Sequence, residues 1–265
     1  MNAVFIDAIG LAAPGLPTWR DALPVLRGEQ PYAPTPLANY APTLLPANEQ
    51  RRATATVRLA FRVGEEAIRD SGQDAARLAT VFASSDADMM VSHRICTALA
   101  QSQRLVSPTD FHNSVHNAPS GYWHIGAHSH LPSSAVAGHD FSFAVGLLEA
   151  ISQTLSDAQS TLLVCYDVPA PEPLLERRPL GNPFAVAMLL SPSRSTNSIA
   201  QITLATLDDN EAETPMTEPQ WETLRRSNPA ARALPLLQLL ARRQSDVVRI
   251  GRSATRVLSA HWATL

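Results

Sequence analysis

Six of the eight histidines fall between residues 112 and 139, the densest run of titratable side chains in the chain. His112 and His116 are four residues apart, the spacing that puts two imidazoles on one helix face, and Asp140 is a carboxylate near enough in sequence to complete a metal site. No glutamate lies inside the pair, so the zinc-protease pattern is absent, and a packed polar helix explains the spacing better. Two other side chains are candidate nucleophiles. Cys165 ends an apolar run just before Tyr166-Asp167, which puts a thiol at the carboxyl edge of a strand, although no nearby residue is of a kind that lowers its pKa. Ser142 lies one turn inside an apolar-faced helix and has no G-x-S-x-G elbow around it. Either residue would serve an acyltransferase or thioesterase. The sharpest local geometry is at 133–141, a short apolar strand turning through the single residue Gly138 into a buried helix. Such a helix start lowers a thiol's pKa and offers amides to an oxyanion, yet the turn position holds glycine.

Composition removes several chemistries. All 21 basic residues among the 265 are arginine, so no Schiff-base lysine, lysine-held pyridoxal phosphate or P-loop lysine can be present. A net charge of −3 gives no electrostatic footprint for nucleic acid. Cys96 and Cys165 sit in separate apolar segments, which points to a reducing compartment and away from a paired-cysteine zinc site. No G-x-G-x-x-G occurs, and no cofactor is expected. Because the N-terminus has no basic region before its apolar run, and no apolar stretch approaches the ~18 residues of a membrane span, a soluble cytoplasmic protein without membrane insertion is expected.

The elements that must position these residues alternate. A strand is expected at 4–13, followed by a proline-rich excursion holding a short helix at 19–27 that Thr18 caps and Pro24 strains. Val57, Ala60, Phe61, Gly64, Ala67 and Ile68 recur at helical spacing over 54–70, with Arg58, Arg62, Glu65 and Arg69 on the opposite, polar side. Strands follow at 78–83, 133–137, 161–166, 184–190 and 199–205, with helices at 89–100 and 141–155 and a helix start at Ser107. An acidic loop, a helix at 229–243 and a hairpin at 247–259 end the chain. This is an α/β pattern, a layered sheet with crossover connections.

On these elements the chain resembles the N-terminal half of a β-ketoacyl synthase, the thiolase-fold condensing enzyme of fatty acid and polyketide assembly. The order of elements matches from Ile9-Gly10-Leu11 through the Arg51-Arg52 segment to the turn at Gly138. The block 107–123, with Asp110-Phe111-His112-Asn113 and His116-Asn117-Ala118-Pro119 inside it, is most similar to synthase-like proteins of aryl polyene and xanthomonadin-type pigment clusters. The resemblance implies a thiolase-like fold, mainly one βαβαβαββ half (a mixed sheet covered by helices) over 1–205. Residues 206–265 would form a helix-plus-hairpin extension of the same domain.

With Phe143-Ala144-Val145-Gly146 registered on the family's nucleophile helix, the active-site cysteine falls on Gly138. The family's second half supplies histidines, one in a His-Gly-Thr-Gly-Thr motif, and a lysine; here only His261 lies late, outside such a motif. The resemblance therefore implies a non-catalytic subunit similar to a chain length factor. It would heterodimerise with an active ketosynthase and help shape its acyl tunnel, with 133–137 as the strand that pairs across the dimer. His112, Asn113, His116 and Asn117 would face the partner or its acyl chain, as would Tyr122, Trp123, Ser134 and Val136. An acyl carrier protein is a further implied partner, for which Arg51, Arg52, Arg58 and Arg62 offer a basic surface.

Overall fold

The computed structural model describes residues 3–204, 212–251 and 257–265. The first residues of the expected acidic loop and the turn of the expected C-terminal hairpin lie outside them. Strand β1 (Val4–Ala12) leads to α1 (Trp19–Arg27), which starts where Thr18 Oγ1 accepts the Asp21 N–H and ends at Gly28 with a φ of 81°. Pro24 sits inside α1 without breaking it, because Ala22 and Leu26 are buried and Arg27 Nε reaches the Ala241 carbonyl at 2.7 Å. Tertiary packing here outweighs the expected proline strain. Next come α2 (Ala47–Arg52), α3 (Ala55–Ser71), capped by Thr54, and β2 (Ala79–Ala83).

The histidine-rich region contains α4 (Met89–Ala100), α5 (Pro108–Asn113), α6 (Ala118–Ala127) and β3 (Ser133–Val136). A 3₁₀ turn then opens α7 (Ser142–Ser156), followed by β4 (Thr161–Asp167), α8 (Leu174–Arg177), β5 (Phe184–Ser191) and β6 (Ala200–Leu204). Helix α9 (Pro219–Ser227) has no counterpart in the sequence expectations; its signal was the Trp221/Leu224 pair, both buried. The single helix expected at 229–243 is a 3₁₀ turn at Ala230–Ala233 running into α10 (Leu234–Arg242). Strands β7 (Asp246–Gly251) and β8 (Val257–Thr264) complete the chain.

All eight strands form one mixed sheet in the order β3-β2-β4-β5-β1-β6-β8-β7. Strands β3, β2 and β4 are parallel, so their carboxyl ends share one edge, and the remaining pairs are antiparallel. The C-terminal strands β6, β8 and β7 thus extend the sheet beyond β1. Alternation along β4 sends Leu163 and Cys165 to a core with α1, α7, α9 and α10, and Leu162, Val164 and Tyr166 to a core with α3 and α6. Helices on both faces explain why the central strands are apolar throughout.

Helix α3 approaches the sheet most closely at Gly10, where an added Cβ would lie 2.0 Å from the carbonyl oxygen of Val63. Since that neighbour is backbone, Gly10→Ala is expected to cost about 1–3 kcal/mol or more. Gly121, helical with open space around it, is the control: Gly121→Ala should stabilise by roughly 0.5–1 kcal/mol. Urea midpoints of the two variants moving in the same direction would refute this account of the packing.

Glu65, expected on the polar side of α3, is buried. Its carboxylate accepts Tyr40 Oη–H, the Thr43 N–H at 3.0 Å and the Leu44 N–H at 2.8 Å, holding the proline-rich strap against the helix. Neighbouring Glu66 accepts the Leu11 and Trp19 amides at 2.9 and 2.7 Å. Two adjacent carboxylates therefore tie the extended segment 11–44 to α3 by satisfying backbone donors that the sheet leaves free. Among the described residues, no helix is long and apolar enough to cross a membrane.

Candidate functional site

Ligand sites of layered α/β sheets sit at the carboxyl ends of parallel strands. Here that edge holds the ends of β2, β3 and β4 and the turn into α7. Gly138 donates its N–H to Ser142 Oγ at 3.0 Å, and Ser142 Oγ–H donates to the His139 carbonyl at 2.8 Å. An added Cβ at Gly138 would lie 2.7 Å from Val145 Cγ2 and 3.2 Å from the Phe141 backbone. The turn therefore lacks a nucleophile and, as packed, lacks space for a cysteine side chain.

Neither alternative nucleophile is presented for chemistry. Ser142 is buried and both its hydrogen-bonding roles are occupied within the turn. Cys165 is fully buried, and burial followed by the nearby Asp167 charge pushes its thiol well above the ordinary range, which disfavours the reactive thiolate.

Polar side chains close the edge. Buried Asp167 accepts the Ser84 hydroxyl at 3.0 Å and, from Ser85, the amide at 2.7 Å and the hydroxyl at 2.8 Å through one oxygen, leaving the other without a partner. Burial raises its pKa to about 7 against the downward pull of those donors. Arg178, from the connection between β4 and β5, donates Nε–H to Asp86 at 2.7 Å and Nη1–H to Asp140 at 2.6 Å. Sequence reasoning missed this arginine because its two partners lie 92 and 38 residues away.

The histidines do not converge. Helix α5 stops at Asn113, so His112 and His116 do not share a helix face. His112 meets the Tyr122 ring edge-on at 5.8 Å, His116 Nε2 lies 3.1 Å from the Ser84 carbonyl, and His124 faces the carbonyls of Ser120 and Leu131. Among the described residues, no group of three or more His, Cys, Asp or Glu side chains is arranged to hold a metal.

Three of the residues expected to face the partner or its acyl chain are buried within this chain. Trp123 lies tilted at 5.1 Å from Phe61 and edge-on at 6.2 Å from Phe82, and its ring fills the space that a Cβ on Gly64 would take. Tyr122 is buried beside it, and Asn113 is buried with its amide donating to the Arg52 and Thr109 carbonyls. An apolar ring seated between α3 and the sheet loses more by exposure than an interface would return. His112 and Asn117 are exposed, His116, Ser134 and Val136 half-buried. Ser134 turns its hydroxyl toward Glu149 and Gln153 of α7.

The two ends of the sheet differ. At β7 the backbone of Arg249 is covered, its carbonyl accepting the Thr214 N–H and its N–H donating to Thr214 Oγ1, both at 2.9 Å. At the opposite end β3 pairs with β2 alone among the described strands. Helix α4, which follows β2, is an apolar helix of twelve residues of which only Val91 is buried. Met90, Leu99, Leu105, Phe111 and Val115 are all exposed along α4, its exit and α5. The missed signal was α4's near lack of a charged face, in a helix too apolar to remain solvated on all sides.

The expected basic surface is reduced. Arg58 commits its guanidinium to the carbonyls of Ala53, Gln50 and Tyr40, and Arg62 to those of Pro17 and Ala38. Arg51 and Arg52 remain exposed.

Residues 26–258 match the family model described as beta-ketoacyl synthase, N-terminal domain. A ketosynthase in complex with its chain length factor from Xenorhabdus doucetiae is similar at 23% identity, with 98% of this chain and 99% of that chain covered and a TM-score of 0.74. The ishigamide ketosynthase/chain length factor matches at 10% identity over 99% of both chains, with a TM-score of 0.77. Ketosynthase twelve of the Bacillus amyloliquefaciens bacillaene synthase matches at 13% identity and a TM-score of 0.60, with 80% of this chain but only 46% of that chain covered. At such identities these structures establish the thiolase-like fold. A search of curated proteins returns no match.

Proposed function

This chain belongs to the β-ketoacyl synthase family, and we propose that within it the chain is a non-catalytic, chain length factor-like subunit. It heterodimerises with an active β-ketoacyl-acyl carrier protein synthase and helps shape that partner's acyl tunnel, in polyene, polyketide or fatty acid-type assembly. The observation that carries this reading is Gly138, the family's nucleophile position, packed so closely against Val145 that a cysteine has no room. Decarboxylative condensation needs a thiolate to carry the acyl group, and Cys165 and Ser142 are both sealed in the interior. The bare β3 edge and the exposed apolar side chains of α4 and α5 support a partner at these surfaces, since an uncovered strand edge and an uncovered apolar helix are both costly in water. The likeness to ketosynthase/chain length factor structures supports the choice of partner. Exposed Arg51 and Arg52 are the residues left to meet an acidic acyl carrier.

Co-expression with an active ketosynthase from the same source is expected to give a stoichiometric complex that buries the β3 edge and the apolar side chains of α4. The complex is expected to lose no condensing activity when Cys165 is replaced by serine. A chain that stays monomeric beside its ketosynthase, or that forms an acyl adduct on its own, would overturn the reading.

A further inference from the structure

The turn leaving β2 and the turn entering α7 each contain a non-glycine residue in the left-handed region, Ala87 with φ 55° and His139 with φ 52°. Such a conformation is unfavourable for an L-residue and persists only where the surroundings over-determine it. Beside each strained residue stands an aspartate, Asp86 and Asp140, and both carboxylates are bound by the one guanidinium of Arg178. The Ser85 hydroxyl lies 2.7 Å from Asp86 and 2.8 Å from Asp167 and shares its one proton between them. The chain between the two turns contains α4, α5, α6 and β3. Arg178 belongs to none of these, arriving from the far side of β4 at the end of α8. The side chains of Arg178 and Asp86 are 16% and 20% exposed, so that arm is partly shielded from water and from salt, while Asp140 at 43% forms the more open arm. Helix α6 and strand β3 are seated by their own packing and ladder, but α4 gives the core Val91 alone and is otherwise tied, through Arg94 and Asp110, to α5 within the same excursion, so the orientation of the α4–α5 pair depends on the turn at its root.

We propose that Arg178 is a clip that fastens both roots of the excursion 87–139, holding two strained turns in place and so presenting α4 and the β3–α7 turn to the partner subunit. The identity of that partner rests on the function proposed above; the clip does not. Without the guanidinium, Asp86 and Asp140 lose the cation they share, and each turn is free to relax toward right-handed backbone.

The test is hydrogen exchange read by mass spectrometry on the full chain, with affinity for the co-expressed ketosynthase measured on the same preparations. Arg178→Gln is expected to speed exchange at 86–91 and 138–142 about tenfold while leaving β1, β4 and β5 unchanged, and to weaken the complex about tenfold. Arg178→Lys, which keeps the charge but cannot span both carboxylates, should fall between. In an Ala87→Gly/His139→Gly background, where left-handed backbone carries no penalty, the loss from Arg178→Gln should shrink to less than about threefold. Asp140→Asn cuts one arm, should loosen only 138–142, and keeps the test decisive if Arg178→Gln does not fold. Unchanged exchange at both turns, acceleration spread through the central strands, an undiminished loss in the glycine background, or looser turns with unaltered affinity would each overturn the clip. A wild-type chain that binds no ketosynthase overturns the proposed function instead, and exchange at the turns still decides the clip.

Discussion

Trp123→Ala is expected to lower stability by about 3–5 kcal/mol, a large part of the ~5–15 kcal/mol that holds a typical domain together. The indole is enclosed by Phe61, Phe82 and Gly64, between α3 and the sheet. Deleting it leaves a cavity that the closely packed α3 cannot collapse to fill, because Gly10 already brings the helix to backbone contact. A fall in the urea midpoint with an unchanged slope is the expected signature. Trp123→Phe should cost much less, since the ring position stays filled and the indole Nε1–H that it removes has no partner. A Trp123→Ala protein of wild-type stability whose complex makes products of altered length would instead put this residue in the acyl tunnel.

Stability is expected to fall as pH rises from 5 to 8, the reverse of ordinary acid denaturation. Burial raises both Glu66 and Asp167 to about 7 in the folded chain, against ordinary carboxylate values near 4 when unfolded. Between those values the folded chain holds protons that the unfolded chain has released. The stabilisation is therefore complete below pH ~4 and is lost as pH passes through 7. From pH 5 to 8 the loss is at most about 3 kcal/mol per group. Glu222 acts oppositely: hydrogen bonding to Arg225 lowers it to about 2, so its contribution disappears only in stronger acid. On these three groups the stability maximum should thus lie near pH 4. Asp167→Asn retains a carbonyl oxygen for the Ser84 and Ser85 donors, which all meet one oxygen. Glu66→Gln retains one for only one of the Leu11 and Trp19 amides, which meet different oxygens, and so also lowers stability at every pH. Each should flatten the slope between pH 5 and 8. Urea midpoints rising over that range, or slopes untouched by both substitutions, would contradict the assignment.

Much of the fold is legible from local pattern. Helix α4 falls on its expected bounds and β3 within one residue, because the apolar spacing of α4 and its Asp88 cap, and the Pro132 and Gly138 that bound β3, act over a few residues. Pro24 misleads because a buried face two residues away offsets the strain, and α9 escapes because its apolar signal is a single pair. Glu65 misleads for the opposite reason: a charged residue on a helix is read as solvated, and only the strap folding over it shows otherwise.

The candidate site divides along the same line. The sequence alone determined the absence of lysine chemistry, the glycine at the strand-to-helix turn and the family resemblance in block 107–123, because each depends on residue identity at positions close in the chain. Tertiary structure alone decided that Gly138 has no room for a larger side chain, that Trp123 and Tyr122 face inward, and that α4 and one sheet edge stand uncovered. It alone joined Arg178 to Asp86 and Asp140. Burial and ion pairing belong to neighbours in space, and at this site the neighbours come from segments dozens of residues apart.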